Sequence, residues 1–195
     1  VSVAYYDKNA FQFFNGTFAV NMTSSYRRFL PFVPAGGSIL DAGCGSGRDS
    51  LFFKANGYKV TAIDASKEMT ILASEATDLN VINCEFDQFL APSPFDGIWA
   101  CASLLHTPER HLKNTIGHLI SLLTNGGVFY LSFKNGVGEH AIGERIFTNL
   151  NEDGLKAIVA DLPVSIIDSW ISCDVRPEKQ HELWCNAVLK KSQNH

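Results

Sequence analysis

From residue 38 onward, short β-branched and apolar runs alternate with stretches whose apolar positions recur about every three to four residues. Ser38-Ile39-Leu40-Asp41-Ala42 is an apolar run that ends in glycines, and a helical stretch over 48–56 follows. Residues 58–64 (YKVTAID) form the next run, then come a helical pattern over 67–79, a short run over 81–86 and the run 95–102. HLKNTIGHLISLL (111–123) has apolar spacing near 3.6 and leads into GGVFYLSF (126–133). Strands alternating with helices build βαβ units and a parallel sheet. Strands of such a sheet are covered on both faces, so they are apolar nearly throughout instead of at every second position. The pattern predicts an α/β, doubly wound fold.

The two ends depart from this rhythm. Residues 7–30 place Phe11, Phe14, Phe18, Met22, Tyr26, Phe29 and Leu30 at mostly helical spacing, interrupted by Asn15-Gly16. Two short helices against the sheet are expected, their aromatics either core or, in part, a lid over a pocket. After Asn135 the glycine-rich stretch NGVGEHAIGER is expected to be a loop leading to a helix over 152–161. Two final strands, near 164–174 and 181–190, are joined by a turn around RPEKQ and predict an antiparallel hairpin at one sheet edge. No repeat, low-complexity tract or domain boundary interrupts the chain, so 1–195 is expected to be a single domain.

Composition removes several classes. Of 195 residues, 46% are apolar and 18% charged, against about 25% charged in an average soluble domain. A disordered chain, a collagen-like chain and a charged helical rod are excluded. No apolar run approaches the ~18 residues of a membrane helix, and VSVAYYDKNA lacks the basic start and apolar stretch of a signal peptide, so a cytoplasmic location is expected. The net charge of −4, with no Lys/Arg block, makes nucleic acid a poor partner. Five cysteines (44, 84, 101, 173, 185) form no CxxC pair and are expected to be reduced thiols, neither a disulfide framework nor a zinc site. No metal site is legible.

The most informative stretch is ILDAGCGSGRDS, residues 39–50. Gly43, Gly45 and Gly47 permit a tight strand-to-helix turn and close approach of backbone to a ligand. The absence of G-K-[ST] excludes a P-loop, and the third glycine arrives one position too early for a dinucleotide fingerprint. Asp41 stands two residues before the first glycine. Two like charges ~4 Å apart repel by roughly 4 kcal/mol at an effective dielectric of about 20, so an acid there disfavours a pyrophosphate and suits a ligand bearing positive charge. S-adenosylmethionine (SAM) is such a ligand. Asp64 ends the next strand, where an acid can hold both hydroxyls of an unmodified ribose; this fits NAD as well as SAM, and a helix N-terminal acid before Ser66 is the structural alternative. Asp87 follows the third strand, placed for an adenine amino group or for a structural role.

The ordered set DAGCGSGR, VTAIDAS, FDGIWACASLLH and LLTNGGVFYLSF resembles the class I SAM-dependent methyltransferases over about residues 5–190. The extended forms GCGSGRDS, IWACASLLH and SFKNGVGE, with YDKNA near the start, are similar to a small bacterial branch labelled tellurite-resistance-like. The resemblance implies a Rossmann-like sheet of seven strands in order 3-2-1-4-5-7-6, strand 7 antiparallel, with an N-terminal helical segment (1–30) as a lid. It puts the methionine part of SAM against Asp41, Gly43, Cys44 and Gly45, with Arg48 nearby. Asp64 holds the ribose, Ala65 and Met69 flank the adenine, and Phe86 and Asp87 close its far side. Ala100, Cys101 and Ala102 line the floor under the sulfonium, His106 lies just beyond, and Tyr6 or Tyr5 covers the cofactor. Cys44 and Cys101 are then wall residues, not nucleophiles. The chain departs from the branch where Arg145-Ile146-Phe147 follows Glu144 instead of a glycine, where Asn21-Met22 replaces Asp-Met, and where Asn125 replaces a proline.

Methyl transfer from a sulfonium is an in-line displacement, favoured chiefly by alignment and exclusion of water. A general base is needed only for a protonated acceptor. His106 and Tyr6 are the candidates for catalysis, a cap on the helix beginning near Pro108 being the structural alternative for His106. Arg145, in the 135–162 region, and Arg176, in the final hairpin, either clamp an anionic substrate or serve as structural ion-pair partners, and Glu139 is a further acceptor contact. His111, His118, His140, His181 and His195 show no ligand spacing and are expected on the surface. A small-molecule acceptor is favoured over tRNA or protein, over a SAM-binding module without turnover, and over a nicotinamide dehydrogenase. Oligomeric state is not legible in the sequence.

Overall fold

A computed structural model describes residues 2–193. Helix α1 (Ser2–Thr17) and helix α2 (Thr23–Phe29) precede β1 (Ser38–Ala42), α3 (Arg48–Ala55), β2 (Lys59–Asp64), α4 (Lys67–Thr77) and β3 (Ile82–Asn83). Then come β4 (Phe95–Ala100), α5 (Glu109–Ser121), β5 (Leu123–Lys134), β6 (Gly138–Ile142), β7 (Arg145–Asn149), α6 (Glu152–Val159), β8 (Val164–Cys173) and β9 (Leu183–Lys191). The main sheet has seven strands in order β3-β2-β1-β4-β5-β9-β8. β1 to β5 pair in parallel, and β9 is antiparallel to both β5 and β8. This is the expected order, its last two strands renumbered because β6 and β7 intervene.

Successive residues of a strand face opposite sides, and here both sides are covered. Leu40, Ile98 and Phe129 pack with Leu112, Ile116 and Leu119 of α5. Their neighbours Ile39, Trp99 and Val128 pack on the other face with Tyr26 and Phe29 of α2 and Phe53 of α3. Full burial of each such side chain contributes roughly 1.5–3 kcal/mol. The near-continuous apolar runs therefore follow from a sheet between two helical layers.

Three local expectations are corrected. α1 runs through Asn15-Gly16 and ends at Thr17, with its one non-helical residue at Asn9 (φ −117°, ψ 19°). A glycine costs a helix about 1 kcal/mol, and docking of α1 on the fold offsets it. The third strand shrinks to Ile82–Asn83 because the chain turns into a short 3-10 segment at Phe86–Gln88. The stretch NGVGEHAIGER is not a loop. It forms the antiparallel hairpin β6–β7, with Ile142 paired to Arg145. Gly143 at φ +58° opens its two-residue turn, as tight hairpins require. Among the described residues no helix is long and apolar enough to cross a membrane.

Candidate cofactor and acceptor site

Beyond β1 the chain reverses through Gly43 at φ +75° and Gly47 at φ +76°. A Cβ on Gly43 would lie 2.5 Å from Cβ of Ser103, so the turn needs glycine for space as well as for conformation. The amides of Gly43 and Cys44 donate to Ile63 O at 2.9 and 3.0 Å, and that of Gly45 donates to Asp64 Oδ2 at 2.9 Å. Three successive N–H groups are thus committed to the end of β2 and do not face a phosphate. Asp64 Oδ1 accepts from the Ser66 amide at 2.9 Å. Burial raises the Asp64 pKa, against the lowering effect of these two amides. Ser66 in turn caps α4 by accepting from the Met69 amide.

One cavity of about 540 Å³ runs along the carboxyl ends of the parallel strands, where open α/β sheets bind their ligands. Its end beside the glycine loop, the candidate cofactor end, is lined by Gly43, Cys44, Gly45, Arg48, Asp64 and Ala65, with Met69, Phe86, Cys101 and Ala102. Tyr6, His106, Arg145 and Arg176 line the same cavity. Three predicted cofactor residues do not line the cavity. Asp41 is buried beneath the glycine loop and accepts from Ser50 Oγ at 2.6 Å; burial, with the negative Asp49 beside it, raises its pKa. Asp87 accepts from Thr115 Oγ1 at 3.2 Å, and Ala100 is enclosed at the end of β4.

Arg48 is aimed by a node that the sequence reading missed. Asp49 accepts from Arg48 Nε at 2.7 Å and Nη2 at 2.8 Å, from Trp99 Nε1 at 2.8 Å, and from the Tyr26 hydroxyl. Burial opposes its charge, yet Arg48 and these donors hold its pKa below the usual carboxylate range. Arg48 Nη2 also reaches Cys101 Sγ at 3.7 Å. Burial pushes the Cys101 thiol up to about 12 and also raises that of Cys44, so both walls are neutral.

α1 covers this end of the cavity. Asp7 Oδ1 accepts from Ser66 Oγ at 2.7 Å, and Thr17 Oγ1 donates to Ser46 Oγ at 3.1 Å. Tyr6, not Tyr5, lines the cavity and its hydroxyl meets His106 Nε2 at 2.7 Å. His106 Nδ1 lies 2.8 Å from Ile146 O. A carbonyl only accepts, so Nδ1 carries the proton and Nε2 accepts from Tyr6. Burial, then the charges of Arg145 and Lys134, lower the His106 pKa to about 4 against the raising effect of the Ile146 bond. The imidazole is neutral at neutral pH. Burial also raises the Tyr6 pKa, which the Arg145 guanidinium opposes.

The far end is built by β5, the β6–β7 hairpin and the β8–β9 connection. The Arg145 guanidinium stands 4.4 Å from the Tyr5 ring centroid and 5.0 Å from that of Phe147. Asp174 accepts from Arg176 Nε at 2.8 Å, Nη2 at 2.6 Å and its amide at 2.9 Å, and from Trp184 Nε1 at 3.0 Å. Lys134, Asp174 and Trp184, which sequence reading missed, also line the cavity. Glu139 does not; it accepts from the Glu109 amide at the start of α5. His118 is half-buried, its Nε2 3.0 Å from Phe89 O, whereas His111, His140 and His181 are exposed as expected. His195 lies outside the described residues.

Residues 39–127 match a family model described as a methyltransferase domain. A malonyl-[acyl-carrier protein] O-methyltransferase of Pectobacterium atrosepticum is 43% identical over 170 residues, covering 85% of this chain and 64% of that protein. An uncharacterized methyltransferase of Staphylococcus carnosus is 27% identical over 150 residues, covering 68% and 72% respectively. The chain thus spans 64% of the length of the first of these relatives and 72% of the second. The Burkholderia thailandensis 1,6-didemethyltoxoflavin-N1-methyltransferase, solved with its acceptor and S-adenosylhomocysteine bound, superposes with a TM-score of 0.79 at 20% identity, covering 98% of this chain and 86% of that one. The Synechocystis magnesium protoporphyrin IX methyltransferase with bound SAH superposes at 0.76 with 17% identity, covering 98% of each chain. These two likenesses show the fold. It is the family match over residues 39–127, the stretch that holds the glycine loop and Asp64, that identifies a methyltransferase domain of the S-adenosylmethionine-dependent type in this chain.

Proposed function

We propose that the protein transfers a methyl group from SAM to a small-molecule acceptor held in the same cavity, and that it stands with the tellurite-resistance-like branch of the family. The continuity of one cavity from Gly43 and Asp64 to His106 and Arg145, beneath α1, carries this reading. SAM supplies an electrophilic methyl group whose bonding pair returns to sulfur. The residues fit it: the loop amides are committed to β2, so nothing on the loop awaits a pyrophosphate. Asp64 holds the ribose hydroxyls, Met69 and Phe86 enclose the adenine, and Arg48, fixed by Asp49, faces the methionine carboxylate. Tyr6 and His106 serve a protic acceptor, whose proton passes to the Tyr6 oxygen as Tyr6 gives its own to His106 Nε2. α1 excludes water from that exchange.

Titration calorimetry tests the reading. S-adenosylhomocysteine binds in the micromolar range, Asp64→Ala weakens it at least about tenfold, as loss of a charge-assisted hydrogen bond predicts, and NADH does not bind. NADH binding without S-adenosylhomocysteine binding would sink the assignment. The Pectobacterium relative acts, by its name, on a malonyl group carried by a protein. A carrier-borne acceptor is thus the second reading, and a free malonyl thioester belongs in any acceptor screen.

A further inference from the structure

Four cations line the cavity beyond the cofactor end, and two of them are paired with acids. Lys134 Nζ lies 2.7 Å from Glu182 Oε2, and Arg176 is forked by Asp174. Lys179, on the short 3-10 turn Pro177–Lys179, lines the cavity without an ion-pair partner among the described residues, but none of its atoms is buried and unsatisfied. Arg145 is different. Among the described residues no carboxylate lies within ion-pair distance of it, and its Nε is buried without an acceptor. Lys134 Nζ stands 5.2 Å from the same Phe147 ring that Arg145 faces. Two cations converge on one ring, Lys134 paired with Glu182 and Arg145 without an acid, with His106 beside them held neutral. Arg145 is part-buried, and an enclosed N–H with no acceptor leaves a donor that an anionic group entering the cavity can satisfy. The aromatic flanks of Arg145 and the aromatic walls of Tyr6 and Phe147 suit a ligand with an apolar, planar body.

We propose that the acceptor is a small organic acid whose carboxylate seats on Arg145 beside Lys134, and that the methyl goes to a separate O–H, N–H or S–H group of that molecule. A carboxylate nucleophile would need no proton acceptor, whereas the Tyr6–His106 pair lies next to this seat and supplies one. A planar carboxylate meets a guanidinium with two parallel hydrogen bonds, which a neutral amide does not reproduce. This deepens the methyl-transfer reading and rests on it only for the cofactor that fills the other end of the cavity.

The probes are benzoate, benzamide and sulfate, titrated by NMR into protein saturated with S-adenosylhomocysteine. Benzoate is expected to bind at least about tenfold more tightly than benzamide or sulfate, in keeping with a charge-assisted bidentate contact. Arg145→Gln removes that preference while S-adenosylhomocysteine affinity stays within about twofold, and Arg145→Lys recovers part of it. The unchanged cofactor affinity shows that the variants are folded. Equal binding of benzoate and benzamide, no binding of either, or a preference that survives Arg145→Gln overturns the seat. Sulfate binding as tightly as benzoate overturns the organic-acid class. Failure of the wild type to bind S-adenosylhomocysteine strikes instead at the methyl-transfer reading.

Discussion

The same device occurs twice along this cavity, with different consequences. At the cofactor end Asp49 collects an arginine fork, an indole N–H and a tyrosine hydroxyl; at the acceptor end Asp174 collects an arginine fork, an indole N–H and a backbone amide. Asp49 draws its donors from α2, α3 and β4, up to 50 residues away in sequence. Asp174 draws its own from within 10 residues, Arg176 in the connection from β8 to β9 and Trp184 at the start of β9. One carboxylate ties distant elements of the fold together; the other only shapes a local turn. The cofactor end is thus inseparable from the core, whereas the acceptor end is mounted on hairpins that can change without dissolving the sheet.

The largest expected effect tests that contrast directly. Asp49→Ala leaves Arg48 charged and enclosed between buried neighbours, and breaking a buried pair from one side costs about 3–5 kcal/mol. Urea unfolding should show that loss together with failure to bind S-adenosylhomocysteine. Asp174→Ala frees Arg176 among exposed neighbours such as Val175 and Pro177, from which it can reach water. About 1–2 kcal/mol should be lost, with S-adenosylhomocysteine affinity held within about threefold. Equal losses from the two substitutions would break the comparison.

Acid should separate the ends next. The His106 pKa of about 4 lies below its ordinary value of 6.5, so the unfolded chain takes up a proton before the folded one. The contribution is complete above about pH 6.5 and is lost as pH falls toward about 4, amounting to about 3 kcal/mol. At the cofactor end the raised pKa of Asp64 has the opposite sign: its protonated form is favoured on folding, and stability drains away as pH rises through its titration. Stability curves of wild type and His106→Asn should therefore diverge between pH 4 and 6.5 and run parallel above it. Curves parallel throughout would mean that His106 is not held neutral by the fold.

The same contrast explains how much could be read from the sequence. The alternation of strands and helices and the placing of Gly43 in a turn and Asp64 at a strand end are legible because each rests on local steric demands: buried two-faced strands, a left-handed turn, an acid at a strand end. The order of strands in the sheet comes instead from the family resemblance. The node around Asp49 is invisible in sequence since Tyr26 and Trp99 reach it only through tertiary packing. Asp41 looked like a ligand contact by its spacing, and packing beneath the loop keeps it out of the cavity lining. The β6–β7 hairpin had a signal that glycine content masked. Glu139 to Ile142 and Arg145 to Asn149 flank a Gly-Glu pair, which is two-residue turn chemistry. Placing that hairpin correctly brings Arg145 and Phe147 together beside Lys134, which no pattern of spacing along the chain announces.

The smallest expected effect bears on the one contact that joins the lid to the acceptor end. Tyr6→Phe deletes a single neutral hydrogen bond and should cost about 1 kcal/mol, with little change in S-adenosylhomocysteine affinity. Its sharper consequence is on His106. The Tyr6 hydroxyl donates to the Nε2 lone pair, an interaction that exists only in the neutral imidazole, so removing it takes support from that form. The His106 pKa should rise from about 4, and any water admitted in place of the hydroxyl moves it the same way, because burial is the main cause of its depression. An NMR titration of the His106 ring in wild type and Tyr6→Phe reads this shift without any acceptor in hand. An unmoved pKa would mean that Tyr6 merely lies against the imidazole, and that the proton relay assigned to the pair has no starting geometry.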